Sequence, residues 1–178
     1  MKHLSIISAS IRTDRKSHNV ALFLERFINE NKLATTEILD LKAYNFPLFE
    51  ERFSYLTNPS EKEIDFQKKI VNSDGIIVVT PEYNGSFPAS LKNVVDFLYN
   101  EWKNKPIAIS TVSSGEFGGT QCLVALQFVF FKIGAKTISS VFHVSKVAEN
   151  YDENGNPLNK EITNKMATVF LKQLLDNI

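Results

Sequence analysis

With 178 residues, twenty Lys and Arg against twenty Asp and Glu, and a formal net charge of zero, the chain suits a single domain, residues 1–178, that buries about 70% of its unfolded surface. It has no long-range field to draw it to nucleic acid or an anionic membrane, so neither is expected as a partner. The single cysteine, Cys122, excludes an intrachain disulfide and a cysteine-rich metal site, and fits a reducing compartment such as the cytoplasm.

The first apolar run predicts a strand over residues 3–9. Its core, Leu4 to Ile7, is too short for a signal h-region of about 7–15 residues or a membrane span of about 20. The polar stretch Ser8-Ala9-Ser10-Ile11-Arg12-Thr13-Asp14-Arg15-Lys16-Ser17-His18-Asn19 follows, and then Val20, Leu24, Phe27 and Ile28 recur at helical spacing over 18–30. A strand, a hydroxyl-rich loop and a helix in that order suit a phosphate: the helix start offers unpaired N–H groups, Ser10 and Ser17 can donate, and Arg12 can make charge-assisted bonds. The ordinary alternative is that Ser17 or Asn19 merely caps the helix while Arg12 and Arg15 are solvated. His18 is expected as a surface residue or an auxiliary hydrogen-bond donor.

A second strand is predicted over 35–41, then an aromatic stretch, Tyr44-Asn45-Phe46-Pro47-Leu48-Phe49, that reads equally well as a hydrophobic lid on the sheet edge or as a stacking surface. Ser60-Glu61-Lys62-Glu63 opens a helix over 61–73 with a capping box. The run Gly75-Ile76-Ile77-Val78-Val79-Thr80 predicts a buried strand ending in the polar loop Pro81-Glu82-Tyr83-Asn84-Gly85-Ser86-Phe87-Pro88, and Leu91, Val94, Val95 and Leu98 then mark a helix over 88–100. A fourth strand over 106–112 leads to Ser113-Ser114-Gly115-Glu116-Phe117-Gly118-Gly119 and a helix over 119–133. A fifth strand over 137–143, a turn-bearing connection over 145–160 and a last helix over 160–176 complete the chain. Four of the seven glycines, at 85, 115, 118 and 119, fall in two of these loops, which suggests close approach of a ligand.

Five buried strands alternating with helices imply an α/β fold: a parallel sheet with right-handed crossovers and helices on both faces. Two doubly wound strand orders are common, and periodicity does not choose between them. In either, ligands bind beyond the carboxyl ends of the strands, where the three polar loops lie. The first loop is neither Gly-x-Gly-x-x-Gly nor a P-loop, so a conventional dinucleotide site and a nucleoside triphosphatase lose their main support, and a mononucleotide phosphate remains. A receiver domain would need clustered acids where the chain has Ser8, Ser10 and Thr80.

Pro81-Glu82-Tyr83-Asn84-Gly85-Ser86, then Pro88 and Leu91-Lys92-Asn93-Val94-Val95-Asp96, resembles the signature of the NADPH-dependent FMN reductase family, flavodoxin-like flavoproteins that include azo-dye, quinone and chromate reductases. The resemblance implies a flavodoxin-like five-stranded sheet of order 2-1-3-4-5, bound FMN, and NADPH or NADH as co-substrate. It implies that Ser10, Arg12, Ser17 and Asn19, with His18 beside them, hold the FMN phosphate. It also places Pro81, Glu82, Tyr83, Asn84 and Gly85, with Ser113, Ser114 and Gly115, around the flavin ring. The chain departs from the family's pattern at Ala9, where glycine is usual, in a longer spacing from Arg12 to Ser17, and at Gln127, where many relatives have Arg.

A bound flavin carries the difficult chemistry, so no catalytic triad and no catalytic side chain are expected. The expected cycle passes hydride from NAD(P)H to FMN and then to a small acceptor: a quinone, an azo compound, free flavin or a metal oxyanion. The alternatives are a flavodoxin-type electron carrier without its own NAD(P)H oxidation, and a binding protein that has lost FMN. Between Cys122 and Ile133 only Gln127 and Lys132 are polar. A helix that is apolar all round must be covered on a second side, which predicts a homodimer, or a tetramer built from it.

Overall fold

The computed structural model describes residues 1–178. Five strands, β1 (His3–Ser8), β2 (Thr35–Asp40), β3 (Gly75–Pro81), β4 (Pro106–Val112) and β5 (Lys136–Val144), form one parallel sheet of order β2-β1-β3-β4-β5. This is the flavodoxin-like order. Along β3 the apolar run serves two cores by alternation: Ile77 and Val79 join the cluster under α1 (Ser17–Glu30) and α7 (Lys160–Leu175). Ile76 and Val78 join the cluster under α3 (Glu61–Asn72), α4 (Ala89–Phe97) and α5 (Thr120–Lys132). A continuous apolar strand is what a sheet covered on both faces requires.

The capping box at α3 forms as expected: Ser60 Oγ accepts from Glu63 N–H, and Glu63 Oε2 accepts from Ser60 N–H at 2.6 Å. The third predicted helix, over 88–100, is shorter than its apolar spacing suggests. It stops at Phe97 because the indole of the fully buried Trp102, in a 3-10 turn over Asn100–Trp102, donates to the carbonyls of Val95 and Leu98 at 3.2 and 3.0 Å. Those are helix-end carbonyls that otherwise lack partners. Two four-residue helices, α2 (Leu41–Tyr44) and α6 (Val147–Asn150), follow β2 and β5. No helix is long and apolar enough to cross a membrane.

Candidate active site at the carboxyl ends of β1, β3 and β4

The loops after β1, β3 and β4 enclose a polar crevice. From the first loop come Ser10, Arg12, Arg15, Lys16 and Ser17, with the Asp14 carboxylate among them; Pro81, Glu82 and Tyr83 come from the second, and Ser113 and Ser114 from the third. The first two loops are joined by Ser10 Oγ and the Tyr83 hydroxyl at 2.7 Å, and the Arg12 guanidinium lies 5.7 Å from the centre of the Tyr83 ring. At the start of α1 the residue in the capping position, Lys16, gives no side-chain cap. The Ser17 hydroxyl is buried and has no hydrogen-bond partner. An uncapped helix start, an unpartnered buried hydroxyl and an exposed guanidinium converge where an anion would complete them all.

Other residues of the same loop turn away from the crevice. The His18 imidazole Nδ1 is 3.0 Å from Ser8 Oγ, and burial, then the Arg15 cation, lower its pKa against the opposing pull of Asp40. Asn19 Nδ2 donates to Asp152 O at 2.8 Å, tying α1 to the connection before α7. The sequence resemblance places both beside the cofactor; in the structure their side chains have partners within the protein, and neither lines the crevice. Arg15 is not solvated either. Its guanidinium forks onto both carboxylate oxygens of Asp40 and donates to Ser10 O at 2.7 Å.

In the second loop, Asn84 and Gly85 both have positive φ, 52° and 76°, as a tight type I′ turn requires, and Tyr83 and Ser86 exchange backbone hydrogen bonds across it. The N–H groups of Glu82 and Tyr83 are engaged, with Val112 O and Ser86 O, whereas those of Asn84 and Gly85 have no backbone partner. The side chain of Glu82 reaches across to α5, where Oε2 accepts from the N–H groups of Gln121 and Cys122 at 3.0 Å each. Its carboxylate thus caps a helix that has no capping side chain of its own, Gly119 occupying that position.

The third loop is stapled to the end of β5. Ser113 N–H donates to Val144 O, and the N–H groups of Lys146 and Val147 donate to Gly115 O and Ser113 O. Gly115, Asn84 and Gly85 stand outside the crevice lining, which takes in Val112 and Val147 instead. Gly118 and Gly119 answer to packing within the chain: with positive φ, a Cβ would sit 3.2 Å from His143 Cβ and 3.0 Å from Thr111 Cβ respectively. Turn geometry at Gly85 and close chain packing at Gly118 and Gly119 require these glycines, whereas a Cβ at Gly115 would meet open space. Cys122 is no nucleophile, since burial, then the Glu82 charge, push its thiol up to about 12.

The aromatic stretch after β2 packs inward. Tyr44, Phe46 and Phe66 form a cluster with ring centres 5.1–5.3 Å apart, and Phe53 meets Phe97 at 5.7 Å. Asn93 of α4 pins the loop, accepting from Phe49 N–H at 2.6 Å and donating to Pro47 O at 2.8 Å. Leu48 stays 82% exposed, and with Ile11 and Ala89 it borders an apolar depression beside the first loop.

A 2-1-3-4-5 parallel sheet with a polar crevice between three loops at its strand ends defines the flavodoxin-like class. Residues 1–149 match the family model described as NADPH-dependent FMN reductase. The chain is 32% identical over 151 residues to an NAD(P)H-dependent FMN reductase of Saccharomyces cerevisiae, covering 78% of each chain. To a quinone reductase of Pseudomonas putida it is 33% identical over 122 residues, which are 65% of this chain and 62% of that one. Among solved structures, the flavoenzyme NAD(P)H:(acceptor) oxidoreductase of Paracoccus denitrificans superposes with a TM-score of 0.80 over 99% of both chains at 22% identity. The chain belongs to the NADPH-dependent FMN reductase family, and is an NAD(P)H-dependent enzyme with FMN as its cofactor.

Proposed function

We propose that the crevice holds FMN with its phosphate on the first loop and its ring against the second and third, and that the enzyme reduces a small quinone-type acceptor. The buried, unpartnered Ser17 hydroxyl at the uncapped start of α1, beside Arg12, carries this reading. Ser17 and the first N–H groups of α1 would take phosphate oxygens, and Arg12 would add charge-assisted bonds. Tyr83, held by Ser10, would wall the ring. Bound FMN supplies hydride acceptance and delivery; the protein supplies position and electrostatics. No side chain is assigned a proton to move.

Quinone is favoured among acceptors by the Pseudomonas putida relative and by the apolar depression at Ile11 and Leu48; azo compounds, free flavin and metal oxyanions suit the same accessible ring. The enzyme is a homodimer in this reading, built on the outer face of α5, and works in the reducing cytoplasm. The test is titration of the protein with FMN, followed by anaerobic addition of NADPH and then benzoquinone. Bleaching by NADPH and return of the oxidised spectrum with the quinone support the reading. Yellow colour that NADPH leaves unchanged would make the chain a flavodoxin-type carrier, and failure to bind FMN would leave a binding fold.

A further inference from the structure

We propose that Arg15 and Asp40 are a positioning pair that holds the first loop in its phosphate-binding shape and so sets the preference of the crevice for FMN over unphosphorylated riboflavin; this rests on the flavin reading above. The other bonds on the loop are Ser10 Oγ with the Tyr83 hydroxyl at 2.7 Å and two longer ones at 3.4 Å, from Arg12 N–H to Ser10 Oγ and from Lys42 Nζ to Arg12 O. Between Ala9, whose N–H donates to Val79 O, and Lys16, whose carbonyl accepts from Asn19, residues 10–15 make no backbone–backbone hydrogen bond of good geometry. The chain there contains no glycine, yet it turns through a left-handed residue, Asp14, at φ 53°. Its shape depends on side chains.

Arg15 supplies the charged part of that hold within the loop. It is bonded to the carbonyl of Ser10 at one end of the loop and, through both oxygens of Asp40, to the end of β2 at the other. Its side chain is 12% exposed and that of Asp40 is 21% exposed, so each charge depends on the other, and removing either strands its partner. The forked geometry needs a planar guanidinium, which lysine cannot supply. Asp40 also accepts from Lys42 N–H at 2.9 Å and starts α2, so the clamp is anchored on a rigid element. With its donors turned to Asp40 and Ser10, Arg15 is the clamp, and the exposed Arg12 is left to meet the phosphate.

The experiment is a double-mutant cycle on the apo-protein, with dissociation constants for FMN and riboflavin read from quenching of flavin fluorescence. Arg15→Ala and Asp40→Asn should each weaken FMN by about tenfold or more while riboflavin changes by less than about threefold. The double variant should bind FMN no worse than the weaker single one, because both remove the same clamp. Arg15→Lys, which keeps the charge and loses the fork, should behave as Arg15→Ala and serves if that variant does not fold. Parallel losses for FMN and riboflavin would overturn the proposal by reducing the pair to general stability, as would losses that multiply in the double variant. Loss on Arg15→Ala with unchanged or tighter FMN binding on Asp40→Asn would make Arg15 a phosphate ligand instead. Absence of FMN binding by the unmodified protein is distinct from all of these, and would remove the flavin reading and the proposal together.

Discussion

Arg12 and Arg15 stand three positions apart in one loop, and their surroundings assign them opposite tasks: one exposed beside an unpartnered hydroxyl, the other engaged with Asp40. Arg12→Ala should weaken FMN by about 10- to 100-fold, the worth of a hydrogen bond to a charged group, and leave riboflavin unaffected. Equal loss for both flavins in a binding titration would place Arg12 elsewhere. The same loop makes the protein acid-sensitive. The folded pKa of His18 lies below its ordinary 6.5, so as pH falls through 6.5 the unfolded chain takes up the proton first and stability drops. Burial alone would raise the pKa of Asp40, but the hydrogen bonds from Arg15 and Lys42 and the charges of Arg15 and His18 outweigh it and hold it below its ordinary 3.8. Its contribution is therefore present above that value and lost as pH falls through the depressed one. Urea unfolding of the apo-protein should show a lower midpoint at about pH 5 than at about pH 7.5, and His18→Gln should shrink the difference. An unchanged difference in that variant would contradict the assignment.

At the scale of elements, α5 begins on a glycine with φ 78° and no acidic residue in its first turn, and the missing cap arrives from the β3 loop as Glu82. Glu82→Ala should cost about 1.5–3 kcal/mol in denaturant unfolding of the apo-protein; no loss would mean that water replaces the carboxylate without penalty. The five strands, the capping box and the three loops were legible because they are local: apolar period, turn residues and caps lie within a few positions of one another. The strand order came from the family resemblance, since periodicity leaves two orders open. What the sequence hid were contacts between elements. Glu82 is 38 positions before the helix it caps, and Arg15 meets Asp40 only because β2 lies beside β1. Asp40 at the end of β2 was the available signal, once that order was assumed. The sequence leaves the aromatic loop open between two roles, and Phe66 and Phe97, from two other elements, pack on Phe46 and turn its ring inward.

At the scale of the molecule, α5 buries Cys122, Leu126 and Phe130 and leaves Val124, Phe128 and Phe131 at 65–76% exposed, one apolar stripe at helical spacing facing solvent. Burying such a side chain contributes about 1.5–3 kcal/mol, so a second copy is an economical cover. Phe128→Asp should give monomers by light scattering and lower FMN retention; unmodified protein that is monomeric at micromolar concentration would contradict the dimer. If NAD(P)H and acceptor use one open face of the flavin in turn, initial-rate plots at several acceptor concentrations should be parallel; intersecting lines would mean that the acceptor binds alongside the nucleotide, as in the depression at Ile11 and Leu48. The most direct measurement is the visible spectrum of the FMN-loaded protein under anaerobic conditions. The account predicts that stoichiometric NADPH or NADH bleaches the flavin absorbance and that a quinone restores it; flavin absorbance that neither nucleotide alters would contradict it.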